Sequence, residues 1–343
     1  MKPTLTHSFG DPVADLAWSP DSRHLAVAGI SGPCAVLDAA TFRVVHTLAG
    51  HEGGTFSLDW SPRGDCLATS GQDGRLKLWS ASTGALLRQM PCGADWVEQA
   101  AFSPNGDWVA TRAGKHLRVW RPGGELAFEF SQHESTVAAL AWRADSGAIA
   151  TGCYGRIRAW RLGEPQPYED ITWKGSFLSL AWSPTARFLC GGTQEGTIQF
   201  FRLPAKQNEP LQMSGYPAKI RNLAWDREGR WLASDGGPVA IVWDVSGKGP
   251  ANTKPRQLEG HPGRVSALEY QSTGPLLASG CEKGGVFVWN PAQGERHRHA
   301  ARFASGVTIL RWAPDGWHLA VGCQSGDLHL LPVPASSSTP FHA

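Results

Sequence analysis

Histidine and cysteine are the residue types in this sequence most able to bind a metal or attack a substrate, with twelve and seven copies. His297-Arg298-His299 puts two imidazoles on one side of an extended segment. Cys153, Cys281 and Cys323 each end a short apolar run and follow directly on glycine. A thiolate and imidazole set could hold zinc, but only if its members converge on one point. These cysteines belong to different segments of a repeating pattern and share one register, where Gly71 stands in another copy. They therefore read as small buried hydrophobes, and no metal or cofactor is expected. Acidic residues fall singly, mostly in turns, so no carboxylate pair suggests acid–base work. There is no G-x-x-x-x-G-K-[ST] loop, no G-x-G-x-x-G, no H-E-x-x-H and no G-x-S-x-G. No catalytic residue is expected, and the chain reads as a non-enzyme.

The elements that must position any site come from a repeat. An apolar residue, any residue and then an aromatic recur as anchors at Trp18, Trp60, Phe102, Trp142, Trp182, Trp225, Tyr270 and Trp312, at spacings of 40 to 45 residues. Forty Gly, 24 Pro and 16 Trp fit many turns joining many short strands. Unit 2 shows the order best: strand Thr55–Trp60, a Pro/Gly turn, strand Cys66–Gly71, an Asp-Gly turn, strand Arg75–Trp79, and a fourth strand over ALLRQM. No segment needs a helical period. A period near 40 with four strands per unit predicts an all-β fold, a single closed β-propeller of four-stranded antiparallel blades. The count is eight, with seven as the alternative if the first or last unit packs differently. The last unit has three strands, Val307–Trp312, His318–Cys323 and Leu328–Val333, and Pro3–Phe9 supplies a spare one at the other end. Pairing of the two would close the ring and cover an edge. The propeller then spans residues 1–333, and 334–343 read as a disordered tail.

The string GHEGGTFSLDWSPRGDCLATSGQDGRLKLW resembles a WD repeat, with its Gly-His, Asp-Gly and closing Leu-Trp. The resemblance covers roughly the whole chain. It implies a buried hydrogen-bonded tetrad at His51, Thr69, Asp73 and Trp79, structural rather than catalytic. Other units depart from it: Tyr154 and Lys283 stand where the aspartate is expected, and the units closing in Trp120 and Trp243 lack the histidine. The resemblance also implies a binding face on the narrow side, around the channel mouth. Counting from the anchors assigns to it Phe56, Gln72, Trp96, Glu98, Leu178, Gln194, Lys219, Arg221, Arg264, Glu282 and Gln324, with small residues in units 1 and 4. Loops Arg161–Asp170 and Gly247–Gln257 should emerge on the opposite face.

The function implied is a scaffold for protein–protein or protein–peptide interaction, with a monomeric propeller binding an unidentified partner that has apolar and acidic segments. An enzyme or metal-handling protein using the central channel is the alternative, and a weak nucleic-acid binder is the second. The net charge of +2 gives little footprint for nucleic acid. The start, MKPTLTHSFG, has no apolar run of a secretory leader, and no stretch approaches the ~18 apolar residues of a membrane span. Seven cysteines without close pairs suit a reducing, cytoplasmic compartment.

Overall fold

A computed structural model describes residues 1–334 except 33, 94–95, 132, 206–209, 248 and 252. The expected tail lies almost wholly outside the described residues.

Short antiparallel strands make up the molecule, and the helical content among the described residues is a single 3-10 turn at Pro291–Gln293. Strand limits follow the turn chemistry. In unit 2 the strands are Thr55–Trp60, Cys66–Gly71, Arg75–Ser80 and Leu86–Pro91, interrupted where Gly64, Gly74 and Gly84 take positive φ. Both faces of the middle strands are covered, because each sheet packs on its neighbours, so Cys66–Gly71 is buried along its whole length.

Eight separate blades do not form. The hydrogen bonds make seven sheets, six of four strands and one of six. The sharing falls in units 4 and 5, not in the first or last unit. The turn at Tyr154-Gly155 is too short to interrupt Ile149–Trp160, and Glu169–Trp182 runs from the outer edge of unit 4 into the innermost strand of unit 5. Tyr154 pairs with Ser176 and ladders the two units together. Glu169–Asp170 and Arg256–Gln257, expected in loops, are already strand.

Leu5–Ser8 lies antiparallel to Asp327–Pro332, with Leu5 opposite Leu330 and Ser8 opposite Asp327. The N-terminal strand thus becomes the outer strand of the sheet formed by the last unit.

Successive innermost strands are tied by a recurring hydrogen bond. The indole of Trp142 donates to the Ala101 carbonyl at 3.1 Å, Trp182 to Ala141 at 3.1 Å, Trp312 to Glu269 at 3.1 Å and Trp18 to Arg311 at 3.0 Å. In each case the acceptor is the residue just before the preceding anchor. A buried indole N–H needs an acceptor, and at these four anchors the preceding unit's carbonyl supplies it. The Trp18 bond joins the first unit to the last.

Carboxylates reinforce the same seam. Asp59 accepts from the Phe102 amide at 2.7 Å, Glu269 from Trp312 at 2.6 Å and Asp15 from Leu58 at 3.1 Å. Arg311 reaches the Leu16 carbonyl at 3.0 Å and Asp15 at 3.1 Å. Burial pushes Asp59 and Glu269 up to about 7 against the pull of these amides. Stability from their protonated form is complete below their unfolded values and is lost as pH rises through about 7.

Deleting residues 1–10 exposes the edge of Asp327–Pro332 and removes apolar cover contributed by Leu5 and Phe9. The truncated chain should melt at least roughly 5 °C lower and scatter light on warming. Unchanged melting would show that this pairing carries no stability.

Candidate functional site

The tetrad residues are joined in one donor-to-acceptor chain. The Trp79 indole donates to Thr69 Oγ1 at 2.8 Å, the Thr69 hydroxyl lies 2.8 Å from His51 Nε2, and His51 Nδ1 lies 2.7 Å from Asp73 Oδ1. Every polar atom is satisfied when the imidazole is neutral with its proton on Nδ1. Lys77 adds a fifth member, 3.1 Å from Asp73 and bonded to the Gly50 carbonyl. Gly71 makes room, since a Cβ there would lie 2.5 Å from that of His51.

Other units keep the Trp-to-hydroxyl bond and change the partner beyond it. In unit 4, Trp160 donates to Thr151, and His133 bonds Thr151 at 3.0 Å and the Lys115 carbonyl at 2.9 Å in place of an aspartate. In unit 7, Trp289 and His261 both bond Ser279 at 2.7 Å, and His261 Nδ1 has no partner among the described residues. In unit 6, Tyr216 replaces the histidine: Trp243 donates to its hydroxyl at 2.8 Å, which bonds Ser234 at 2.8 Å. Burial holds His51 and His133 below the ordinary histidine value and His261 at about 4.

Four of the residues assigned to the face, Gln72, Gln194, Glu282 and Gln324, share one structural register. The amides of Gln72, Glu282 and Gln324 each donate to a carbonyl in the loop that precedes their unit's innermost strand, and the Gln194 amide donates to the Ser176 carbonyl within Glu169–Trp182. Ile30 does the same through Pro12, and the Tyr154 amide bonds Ser135 Oγ at 2.9 Å in the corresponding loop. Tyr154 therefore takes the place of Gln72 on the face, not that of Asp73, because its turn is one residue shorter. Ile30 and Tyr154 are 48% and 57% exposed, so units 1 and 4 present large side chains where small ones were expected.

Phe56 and Trp96 meet, with ring centroids 5.5 Å apart, and Trp96 is 55% exposed. Lys219 and Arg264 also meet, the guanidinium donating to the Lys219 carbonyl at 3.1 Å. Arg221 is exposed, its amide fixed by Asp235 at 2.9 Å. Leu178 is half-buried at an irregularity between Phe177 and Ser179. Glu98 is paired with Arg112, which also bonds Gln99 and the Val137 carbonyl. That ion pair ties Glu98 to its own blade.

Chemistry elsewhere is muted. All seven cysteines are unpaired and buried, and burial pushes Cys34 up to about 11 and Cys66 and Cys323 up to about 12. His297 packs edge-on against Trp289, with centroids 5.7 Å apart. Among the described residues no three His, Cys, Asp or Glu gather as a metal site would need, and no helix is long and apolar enough to cross a membrane.

The profile of the family described as WD domain, G-beta repeat matches residues 2–32, 42–80, 84–121, 124–161 and 252–290, more than half of the chain. The chain belongs to the WD-repeat family. Among curated relatives it is 25% identical to SEC12-like protein 2 of Arabidopsis thaliana over 46% of this chain and 40% of that protein. It is 26% identical to THO complex subunit 3 of the same plant over 38% and 42% of the respective chains. It is 29% identical to Protein FIZZY-RELATED 2, also from that plant, over 46% and 33%. The chain thus spans less than half the length of these relatives. The crystal structure of the computationally designed Ika8 protein superposes with a TM-score of 0.82 at 19% identity, covering 95% of this chain and 98% of that one, which shows the fold.

The WD-repeat matches omit units 5, 6 and 8. Tyr216 sits 18 residues before Ser234, the spacing of His51 to Thr69, and that spacing is the signal that could have revealed it. Ile30 was legible in the same way, standing at the register of Gln72.

The incomplete WD tetrad of unit 7 generates a test. Lys283 lies 22 residues after His261, as Asp73 does after His51. Lys283→Asp supplies the missing acceptor and should add about 1 kcal/mol, whereas Asp73→Ala should cost ~1–3 kcal/mol. The neutral imidazoles contribute stability that is complete above ~6.5, the unfolded value, and is lost as pH falls toward the folded ones. An acceptor at 283 raises the His261 value, so Lys283→Asp should also keep its stability further into acid. Denaturant melts from pH 7 to 4 check both, and a Lys283→Asp protein no more stable than wild type at pH 7 would contradict the tetrad account.

Proposed function

We propose that this protein is a non-catalytic interaction scaffold that docks a protein or peptide partner on the face formed by its turn and loop residues. The observation that carries this reading is the exposed Trp96 packed against the half-buried Phe56 in units 2 and 3, with Lys219, Arg221 and Arg264 in units 6 and 7. Ile30 and Tyr154 extend the apolar side across units 1 to 4. Aromatic and arginine side chains dominate interface hot spots, and loops held by a rigid ring lose little freedom on binding. A partner with one apolar and one acidic segment matches both sides. The relative named as a subunit of the THO complex is in keeping with assembly work. The innermost-strand carboxylates do not favour catalysis, since each is held by a neighbouring strand's amide.

The test uses the full chain as bait and calorimetry on whatever partner is captured. Trp96→Ala should weaken binding by about 2 kcal/mol or more. Arg221→Glu should slow association and reduce its salt dependence. Both variants should melt like wild type. Wild-type affinity in the double variant would move the site off this face.

A further inference from the structure

The turns of units 7 and 8 interlock at the strand ends opposite Glu282 and Gln324. Gln271 and Thr273 stand between the first and second strands of unit 7, and Asp315-Gly316-Trp317 between those of unit 8. Gln271 Nε2 donates to the Gly316 carbonyl. Gly316, at φ +76°, admits Thr273, whose Oγ1 would fall 2.0 Å from a Cβ there. A cleft of about 310 Å³ opens between the two units, with Asn290, Arg298, His299, Trp317, Pro275 and Leu276 in its lining.

Its polar groups are left unpaired. Asn290 is only 7% exposed, yet its Oδ1 is shut off from solvent without a partner, and its Nδ2 makes no hydrogen bond among the described residues. A buried carboxamide in that state costs stability until a ligand bonds it. The half-buried Arg298 guanidinium makes no ion pair and no hydrogen bond among the described residues. Burial, then the amino terminus and Arg298, hold His299 below the ordinary histidine value, so its ring is neutral at pH 7 and has one N–H to donate. The carboxylate in the lining, Asp315, is already committed. It accepts from the Trp317 amide at 2.7 Å and from His318 at 2.9 Å. Beside these donors lies a flat apolar surface, for the Trp317 indole is 51% exposed.

We propose that this cleft binds a purine mononucleotide, with its phosphate on Arg298 and His299, its base against Trp317 and a ring acceptor on Asn290 Nδ2. A guanidinium whose five donors are all free matches phosphate oxygens as a fork. An exposed indole gives a flat base a stacking surface. At about 310 Å³ the cleft is at the small end for ligand sites and suits one nucleotide. The site shares no residue with the docking face, so the two readings stand or fall separately.

The probe is guanosine 5′-monophosphate (GMP), whose O6 and N7 are both acceptors. It is titrated into the full chain by calorimetry and followed through the 15N-indole signal of Trp317, assigned with Trp317→Leu. Saturable binding with a shift of that signal is the expected result. Guanosine lacks the phosphate and ribose 5-phosphate lacks the ring, so each should bind at least ~10-fold more weakly. Arg298→Gln should weaken GMP to the level of guanosine, and Trp317→Leu to that of ribose 5-phosphate, with both melts unchanged. Arg296→Gln, at an exposed position outside the cleft, should bind GMP like wild type. An unmoved Trp317 signal at millimolar GMP, equal binding of guanosine or ribose 5-phosphate, or wild-type affinity in Arg298→Gln overturns the proposal. Tighter binding of a 5′-phosphorylated guanylyl dinucleotide also overturns it, by assigning the cleft to an RNA end.

Discussion

Each unit of this protein depends on a hydrogen bond to the next one at the innermost strand. A four-stranded sheet this small buries too little on its own to be stable, so the units must hold one another. The anchor indole bonded to the carbonyl before the preceding anchor supplies that hold at Trp18, Trp142, Trp182 and Trp312. In units 2 and 3 carboxylates take over, Asp15 capping the Leu58 amide and Asp59 the Phe102 amide, and in units 6 and 7 the Ser179 hydroxyl donates to the Ile220 carbonyl at 3.4 Å and the Asn222 amide group to the Ser266 carbonyl at 3.2 Å. The Trp60 and Trp225 indoles have no acceptor among the described residues, so the seam is uneven from unit to unit.

A second device works within the units. The third-strand tryptophan donates to a Ser, Thr or Tyr hydroxyl in units 2, 3, 4, 6 and 7. Beyond that bond the partner varies: His with Asp, His with a carbonyl, His alone, Ser234 behind the Tyr216 hydroxyl in unit 6, or in unit 3 the Cys92 thiol, 3.8 Å from Thr111. The hydroxyl is the fixed point because it can accept from the indole and still donate once. This freedom lets unit 6 abandon the histidine without losing the indole's bond. The two devices also titrate in opposite directions. Buried imidazoles resist acid poorly, and the raised carboxyls of the innermost strands resist base poorly.

Much of this was legible because turn chemistry and the anchor repeat are local. The spans Thr55–Trp60, Cys66–Gly71, Val307–Trp312 and His318–Cys323 read directly from their flanking Gly, Pro and Asp residues. What could not be read depends on distance or on single deletions. The fusion of units 4 and 5 comes from a turn one residue shorter at Tyr154-Gly155, a change that also sends Tyr154 to the face. Glu98 looked free because Arg112, its partner, lies on the neighbouring strand of the same blade. Trp96 beside Phe56 was anticipated from adjacent units, since register alone places both on one rim.

The central claim is that the units form one cooperative body whose inner seam preorganises the loop face. Native-state hydrogen exchange measures this directly, by tracking peptides that contain the amides of Leu58, Phe102 and Trp312. The account predicts that all three exchange only through global unfolding, with equal free energies and equal denaturant slopes. Earlier opening of the first and last units, with Trp312 exchanging at a lower free energy than Phe102, would contradict it.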